Sequence, residues 1–225
     1  MKNIVVLSGA GMSAESGINT FRDSNGLWEG HDIMEVASPI GWKNNPQHVL
    51  DFYNQRRKQL LLVEPNAAHR ALVSLEDKFN VSILTQNVDD LHERAGSSNV
   101  LHLHGELLKV RSQFDENLIL DWKNDLIIGD LCEHQSQLRP HIVWFGEDVP
   151  LFDQAISIIK KADLIFIIGT SMQVYPAASL LNYATTQEIF YIDPNPQINA
   201  VKNIKIIQEK ATTGVVTLVT SLLNQ

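Results

Sequence analysis

The chain has few cysteines and no long apolar run. It has one cysteine in 225 residues, Cys132, so no intramolecular disulfide can form and a site made of several thiolates is excluded. No apolar run reaches the roughly 18 residues that a membrane-spanning helix needs, because the longest candidate, residues 162–170, is interrupted by Asp163 and Gly169. The apolar run at residues 4–7 is too short for a secretory signal. We therefore expect a soluble, cytoplasmic protein with no membrane partner.

Positive charge is also scarce. The chain has 18 Lys and Arg against 26 Asp and Glu, a net charge of −8. Such a chain lacks the positively charged surface that binds phosphate backbones, which argues against a nucleic-acid partner. An acidic surface suits basic peptides instead. The hydrophobic fraction of 44% and the charged fraction of 20% are ordinary for a globular protein and exclude disorder. The length predicts one domain, or one domain that carries a smaller inserted lobe.

Short β-branched runs alternate with stretches of helical periodicity. Runs of this kind are typical of buried parallel strands, and their alternation with helices predicts an α/β fold. We expect a Rossmann-like, doubly wound parallel sheet. The predicted strands are residues 4–7, 81–84, 100–103, 142–144, 164–168, 189–192 and 204–207, and the predicted helices are residues 69–79, 151–161, 177–184 and 215–223.

Two segments break this alternation, and we interpret them as insertions that pack together as a small lobe. The first, residues 25–64, contains a helical stretch at 46–63, where a Rossmann unit would have its second strand. The second, residues 106–140, contains a predicted hairpin of 107–111 against 118–122. The expected division is a Rossmann lobe of about 1–24, 65–105 and 141–225, and a small lobe of about 25–64 and 106–140.

A glycine-rich turn follows the first predicted strand. Gly9, Ala10, Gly11 and Ser13 match the dinucleotide fingerprint, with Ala14 in the third small position. Glycines in this motif let the backbone approach a pyrophosphate, which lies at the N-terminus of the following helix. The alternative is an ordinary glycine-bearing turn between a strand and a helix.

The residues after this turn resemble the signature of the sirtuin family of NAD-dependent protein-lysine deacylases. The resemblance covers essentially the whole chain, because five blocks occur in the family's order. They are Gly9-Ala10-Gly11-x-Ser13-x-x-Ser16-Gly17-Ile18-x-x-Phe21-Arg22 with Gly26-Leu27-Trp28, then Thr85-Gln86-Asn87-Val88-Asp89-x-Leu91-His92, Leu103-His104-Gly105, Leu138-Arg139-Pro140-x-Ile142-Val143-Trp144-Phe145-Gly146-Glu147, and Gly169-Thr170-Ser171.

The resemblance implies NAD as the cofactor and assigns the catalytic residues. His104 is the implied base on the ribose hydroxyl, and Asn87 the second catalytic residue, although residue chemistry alone does not prefer His104 to His102 or His69. Phe21 would shield the reactive sugar, and Asp89, otherwise a helix cap, would hold the nicotinamide amide. The implied NAD contacts are Gly9, Ala10, Gly11, Ser13, Ile18, Phe21, Arg22, Trp28, Gln86, Asn87, Asp89, His104, Gly169, Thr170, Ser171, Asp193, Asn195 and Ala211, of which Asp193 stands where the family commonly has Asn.

The implied substrate is an acyl-lysine protein or peptide. It would pair with the backbone of residues 142–147, past Phe145, through Ile142, Val143, Gly146 and Glu147. The alternative is that the aromatic residues of this segment belong to the core between the lobes.

Tyr53 and Arg56 lie three residues apart on a predicted helix, hence on one face. Most such pairs are surface residues. Here they resemble the Tyr-x-x-Arg pair of the sirtuin subgroup that binds the carboxylate of succinyl- or malonyl-lysine, a contact that suits a guanidinium. The resemblance therefore implies removal of acidic acyl groups as well as acetyl.

The chain departs from the family in the second insertion. Most sirtuins have four cysteines there, which bind a structural zinc, whereas this chain has only Cys132, with His134 nearby. A tetrahedral site needs four ligands, so we predict no metal. We expect apolar packing to stabilise the lobe instead, through Leu107, Val110, Leu118, Leu120, Trp122, Leu126 and Ile127.

The leading hypothesis is thus an NAD-dependent deacylase that transfers the acyl group to ADP-ribose and releases nicotinamide. An ordinary Rossmann oxidoreductase would need a second strand ending in an acidic residue about 20 residues after the glycines, and residues 25–35 are too polar and glycine-rich for it. The remaining alternative is an NAD-binding or sensing module that is catalytically weak.

Overall fold

A computed structural model describes residues 1–19, 27–28 (backbone only), 30–186, 188–196 and 204–224. Its strands are β1 (Asn3–Ser8), β2 (Leu27–Trp28), β3 (His31–Asp32), β4 (Asn80–Thr85), β5 (Val100–His102), β6 (Gly105–Ser112), β7 (Ile119–Asp121), β8 (Leu138–Ile142), β9 (Leu164–Ile168), β10 (Ile189–Ile192) and β11 (Ile204–Ile207). Its α-helices are α1 (Ile33–Val36), α2 (Pro39–Asn44), α3 (Pro46–Leu60), α4 (Ala67–Ser74), α5 (Leu91–Ala95), α6 (Phe152–Ile159) and α7 (Ala211–Leu223). Short 3₁₀ helices are Ala10–Met12, Ala14–Ser16, Leu75–Asp77 and Ala177–Tyr183.

The predicted parallel sheet is confirmed. It has six strands in the order β11-β10-β9-β1-β4-β5, and every pair in it is parallel. The chain leaves β1 towards β4 on one side and later returns to β9 on the other, so the strand order reverses at β1. Ligands of open α/β sheets bind at the carboxyl ends of the strands at such a reversal.

Helices cover both faces of this sheet. Side chains of a strand alternate between faces, and β1 accordingly sends Ile4 and Val6 into one core and Val5 and Leu7 into the other. The first core includes residues of α4 and α7, and the second includes residues of α6. Burial on both faces explains why these strands are continuous apolar runs.

The small lobe contains an antiparallel sheet in the order β7-β6-β8, and α3 packs beside it. The predicted hairpin is confirmed by the pairing of β6 with β7. The prediction of a parallel strand at 142–144 was wrong, because the strand there, β8, ends at Ile142 and pairs antiparallel with β6. A short apolar run does not tell which sheet it joins, since burial on either gives the same pattern.

The predicted core of the small lobe is correct in part. Leu107, Val110 and Leu126 are buried together with Cys132, whereas Leu120 is 42% and Ile127 is 54% exposed. The prediction failed for Leu120 because β7 is an edge strand whose residues are all exposed. Over the described ranges, no helix is long and apolar enough to cross a membrane.

Candidate active site

A cavity of about 300 Å³ lies between the carboxyl edge of the parallel sheet and the small lobe. Five segments outside the small lobe line it, at residues 9–19, 86–89, 104, 142–149 and 169–176, and α3 of the small lobe lines its other side. The predicted site residues in its wall are Gly9, Ala10, Gly11, Ile18, Tyr53, Arg56, Gln86, Asn87, Asp89, His104, Ile142, Val143, Phe145, Gly146, Glu147, Gly169, Thr170 and Ser171.

The loops after β1 and β9 touch each other at glycines. The Gly9 N–H donates to the Ile168 carbonyl at 3.0 Å, and the Gly11 N–H donates to the Gly169 carbonyl at 2.8 Å. A Cβ on Gly11 would lie 2.6 Å from the Cα of Gly169, which itself has a φ of +59°. Side chains at these two positions would separate the loops, so only glycine allows the two backbones to approach this closely.

This turn differs from the predicted one. It continues into two 3₁₀ helices of three residues each, Ala10–Met12 and Ala14–Ser16, where an α-helix was expected. The N–H groups of Gly9 and Gly11 are already bonded to the loop after β9. The expected α-helix was therefore wrong, the pyrophosphate site expected at this turn stays a prediction, and the glycines themselves allow close packing of two backbones.

Ser13, Asn87 and Asp89 form one buried polar cluster beside the cavity. The Ser13 hydroxyl donates to Asp89 Oδ2 at 2.9 Å, and Asn87 Nδ2 donates to Ser13 Oγ at 3.1 Å. Asp89 Oδ1 also accepts from the N–H of Leu91, the first residue of α5, at 3.2 Å, although the N-cap position itself is occupied by Asp90. Burial raises the pKa of Asp89 to about 6, although the Ser13 bond opposes the rise.

His104 is the neutral histidine of the cavity wall. Its Nδ1 lies 3.2 Å from the Gln86 carbonyl, which only accepts, so Nδ1 carries the hydrogen and Nε2 is the basic nitrogen. Burial lowers the pKa of His104 below its usual value, against the effect of this bond. The imidazole is therefore unprotonated at neutral pH and able to accept a proton.

The other two histidines that sequence left equal to His104 have different surroundings. His69 is fully buried, its Nδ1 accepts from the Asn66 N–H in a capping box, and burial lowers its pKa to about 4. His102 bonds two acceptors, the Asn87 carbonyl at 2.9 Å and Glu93 Oε1 at 2.7 Å. Only His104 of these three lines the cavity.

On the opposite wall, Tyr53 and Arg56 are buried, so the prediction of a surface pair on α3 is excluded. Tyr53 accepts a hydrogen bond from Trp144 Nε1 at 3.0 Å, and burial raises its pKa above the usual value. Arg56 Nη1 donates to the Phe52 carbonyl at 2.9 Å, and its guanidinium stacks 3.6 Å from the Phe52 ring centroid.

Glu147 lies in the same wall and is bound by two arginines. Its carboxylate accepts two bonds from Arg139, at 2.6 and 3.0 Å, one from Arg111 at 3.1 Å, and one from the Trp144 N–H at 2.8 Å. The Arg139 guanidinium stacks 3.3 Å above the Trp144 ring. Although burial opposes ionisation, Arg139 lowers the pKa of Glu147, which stays charged at neutral pH. Trp144 is thereby fixed with its N–H on Tyr53, as the core alternative for this segment predicted.

A model described as the Sir2 family matches residues 9–176. The chain belongs to the Sir2 family. A curated relative from Helicobacter pylori (strain ATCC 700392 / 26695), named NAD-dependent protein deacylase, is 62% identical over 99% of this chain and 98% of its own length. Another of the same name, from Bacteroides thetaiotaomicron, is 50% identical over 96% of this chain and 95% of its own length. The crystal structure of a Sir2 homologue in complex with NAD has a TM-score of 0.87 at 38% identity, and covers 99% of this chain and 90% of that one.

The Sir2-family residues predicted on the far side of the cofactor lie outside the cavity wall. Asp193 is buried at the end of β10 and accepts from the Asn195 N–H at 2.7 Å, and Ala211 is the first residue of α7. Phe21 and Arg22 lie outside the described residues, as does the side chain of Trp28.

Sequence reasoning missed several residues that shape this Sir2-family site. Tyr191 is buried in β10 and donates to the Thr170 carbonyl at 2.9 Å, and Thr170 Oγ1 accepts from Gln86 Nε2 at 3.1 Å. Tyr175 and Pro176 line the cavity beyond the glycine of the β9 loop. Their only sequence signal was proximity to Gly169-Thr170-Ser171, which does not distinguish them from other loop residues.

The donor set of the cavity suits NAD. Gly9, Gly11 and Gly169, which have no Cβ atoms, line the cavity, and the polar side chains of Gln86, Asn87, Thr170 and Asp89 line it beside them. Such a combination fits a nucleotide whose sugars need hydrogen bonds and whose phosphates need close backbone approach. By contrast, the described part of the chain holds no group of three or more His, Cys, Asp or Glu residues that could bind a metal.

Proposed function

We propose that this chain is an NAD-dependent protein deacylase that removes acyl groups from lysine side chains, transfers them to ADP-ribose and releases nicotinamide. The observation that carries the proposal is the half-buried, neutral His104, which lines the same cavity as Asn87 and Asp89 at the carboxyl edge of the sheet. Membership of the Sir2 family and the names of the relatives support it.

His104 is the proposed general base. Its Nδ1–H bond to the Gln86 carbonyl fixes the tautomer that leaves Nε2 unprotonated. NAD, when bound, supplies the sugar carbon that receives the acyl oxygen and nicotinamide as the leaving group. The task of His104 is then to accept the proton of a ribose hydroxyl, and its lowered pKa keeps it ready to do so at neutral pH.

Asn87 and Asp89 are proposed to hold the nicotinamide end. Ser13 joins both side chains, so each is held in one orientation before the cofactor binds. Preorganised polar groups of this kind lose little entropy on binding. The remaining proposed NAD contacts are Gly9, Ala10, Gly11, Ile18, Gln86, Gly169, Thr170, Ser171, Asp193, Asn195 and Ala211, with Phe21, Arg22 and Trp28 from the segment around residues 20–29.

The division into lobes and the peptide path are part of the same proposal. We propose that residues 25–64 and 106–140 form the small lobe and that the acyl-lysine peptide lies along residues 142–147, between the lobes. Within this segment, the Val143 N–H donates to the His104 carbonyl and the Phe145 N–H to the Ala37 carbonyl. A peptide can therefore pair only with the remaining backbone groups, and apolar contact with the half-exposed Phe145 would supplement them.

Tyr53 and Arg56 are proposed to extend the activity to succinyl- and malonyl-lysine. Both line the cavity on the wall of α3. A buried guanidinium at the end of an apolar tunnel favours a substrate carboxylate over a neutral acyl group. The reason is that a hydrogen bond between two charged groups is stronger in a low dielectric. The Tyr53 hydroxyl would add a hydrogen bond.

The first experiment mixes the protein, NAD and an acyl-lysine peptide and measures free nicotinamide. We expect peptide-dependent release by the wild type and a loss of at least about 100-fold in His104→Ala, a usual contribution of a general base. NAD binding without nicotinamide release would favour the catalytically weak binding module instead.

The second experiment compares succinyl- and acetyl-lysine peptides in Arg56→Met. Lys58→Met is the matched control, because Lys58 is an exposed cation on the same helix. We expect kcat/KM for the succinyl peptide to fall by at least about tenfold in Arg56→Met, as for loss of one charge-assisted contact, with the acetyl rate changed far less. An unchanged succinyl rate would refute the proposed carboxylate contact.

A further inference from the structure

We propose that His102 is a positioning residue for Asn87, and that it acts as a charged imidazolium clamped between the Asn87 carbonyl and Glu93. The inference rests on the proposed function, since Asn87 is a proposed catalytic residue. His102 itself does not line the cavity, and it differs from His104, two residues along the chain, in every hydrogen bond it makes.

The protonation state follows from the two partners. His102 Nδ1 lies 2.9 Å from the Asn87 carbonyl oxygen, and Nε2 lies 2.7 Å from Glu93 Oε1. A carbonyl accepts only, and so does an ionised carboxylate, so each ring nitrogen must carry a hydrogen for both bonds to exist. An imidazole with two N–H groups is a cation, and the short bond to Glu93 is that of an ion pair.

The charges that surround His102 agree with this state. Burial opposes a cation there, but the bond and the charge of Glu93, followed by the bond to Asn87 and the charge of Glu106, raise the pKa of His102 above its usual value. Glu106 also forms an ion pair with Lys109, whose Nζ lies 2.9 Å from Glu106 Oε2. The neighbouring buried groups are His92, whose pKa is lowered well below normal by burial, and Asp89, whose carboxyl also faces this charge.

The clamp acts on a stretch of chain that has no regular secondary structure. Residues 86–90 lie between β4 and α5 and belong to neither. Thr85 Oγ1 accepts from the Asn87 N–H at 3.0 Å, and His102 bonds the carbonyl of the same residue, so the Asn87 backbone is held on both sides. The Leu107 N–H holds the next carbonyl, that of Val88, at 2.8 Å.

The consequence is that the position of Asn87 depends on the protonation state of His102, a residue outside the cavity wall. When His102 loses its proton, the ring keeps one hydrogen for two acceptors, and one of the two bonds is lost. The backbone of Asn87, or the carboxylate of Glu93, is then left without its donor. Displacing a catalytic group by about 1 Å costs on the order of 100-fold in rate.

Two substitutions separate charge from packing. His102→Leu removes both donors at similar volume, and Glu93→Gln keeps an acceptor for Nε2 but removes the charge that favours the cation. We expect His102→Leu to lower kcat for nicotinamide release by about 10- to 100-fold, with the peptide KM within about twofold of the wild-type value. In Glu93→Gln, activity at pH 6 should be nearly retained. The Gln amide can donate to Nε2 of the neutral ring, which then keeps its hydrogen on Nδ1 for the Asn87 carbonyl, so the decline of activity on the alkaline side should be weaker than in the wild type.

His134→Leu is the control, because His134 is exposed in the small lobe and its substitution should change neither quantity. Thermal unfolding of each variant identifies one that does not fold. If His102→Leu fails to fold, the change of the alkaline limb of the pH profile in Glu93→Gln still decides the matter. An alkaline limb unchanged from the wild type, or an unchanged kcat in folded His102→Leu, overturns the proposal.

A measurement without turnover keeps this test apart from the deacylase proposal. In protein labelled with ¹³C-histidine, the His102 resonance is assigned from its absence in His102→Leu. We expect it to titrate with a pKa above the usual value in the wild type and lower in Glu93→Gln. A His102 that is neutral at pH 7 overturns the clamp, whereas a wild type without nicotinamide release but with a charged His102 overturns only the proposed reaction.

Discussion

Acid should destabilise this protein through the buried, neutral His69. Its pKa is about 4 in the folded state, because burial and then the charge of Arg70 disfavour the cation, and its usual value is 6.5. Above pH 6.5 the group is neutral both folded and unfolded, so it contributes no pH dependence. As pH falls from 6.5 to 4, only the unfolded chain binds the proton, and the free energy of unfolding decreases.

The expected size follows from the shift. Each pKa unit corresponds to about 1.4 kcal/mol, so a shift of roughly 2.5 units removes about 3 kcal/mol once the pH is below 4. Around pH 5.5 the slope should approach 1 proton, or about 1.2 kcal/mol per pH unit. This loss is a large part of the 5–15 kcal/mol by which domains are usually stable.

His69→Gln tests this without removing the helix cap. His69 Nδ1 accepts from the Asn66 N–H in a capping box, and Gln is a natural acceptor at that position but does not titrate. Urea unfolding at several pH values between 7 and 4.5 gives the slope for the wild type and for His69→Gln. His134→Gln is the control, because it removes an exposed histidine.

We expect His69→Gln to be less stable at pH 7, because it loses buried packing, but to lose stability more slowly as the pH falls. The difference between the two slopes should be close to one proton, since other groups are common to both proteins. Equal slopes in the wild type and His69→Gln would refute the reasoning, because His69 would then titrate alike in the folded and unfolded states.

Three further predictions concern the contact between the two glycine loops, the ion pair of Glu147 with Arg139, and zinc. Gly11→Ala should cost about 1–3 kcal/mol in urea unfolding and weaken NAD binding in calorimetry, because its Cβ would lie 2.6 Å from the Cα of Gly169; unchanged NAD affinity would contradict the close contact of the two loops. Glu147→Ala should destabilise the protein by about 3–5 kcal/mol in the same unfolding assay, because the buried Arg139 loses its carboxylate; a loss below 1 kcal/mol would count against that ion pair. Elemental analysis of purified protein should find no stoichiometric zinc, since Cys132 is the chain's single cysteine.

The parallel sheet was predictable because burial on both faces gives a pattern that sequence carries locally. β1, β4, β9 and β10 are largely apolar runs at the predicted positions, and β11, at the edge, is also at its predicted position although Lys205 and Ile206 are exposed. The parallel strand predicted at 142–144 was wrong, because only Ile142 of that apolar run lies in a strand, β8, and β8 pairs antiparallel with β6. Edge position explains the failure at Leu120, since propensity does not reveal which strand will lack a neighbour.

For the candidate site, too, one part was predictable from the sequence and another part was not. The order and spacing of Gly9 to Gly11, of Gln86 to Asp89 and of His104 identified the segments that meet at the sheet edge. Their chemistry was not readable from sequence. Whether a histidine is neutral or charged depends on burial and on the one or two groups that its nitrogens touch.

By itself, therefore, the sequence determined the fold class, the segments that bring the cofactor site together and the lack of cysteine ligands, because these depend on local pattern and on composition. Only the tertiary structure decided that His104 Nδ1 contacts the Gln86 carbonyl, that His102 lies between the Asn87 carbonyl and Glu93, that His69 is buried in the core, and that the glycines pack two backbones together. These properties depend on partners from elsewhere in the chain, such as Glu93 for His102 and Gly169 for Gly11, and on the low dielectric that their packing creates.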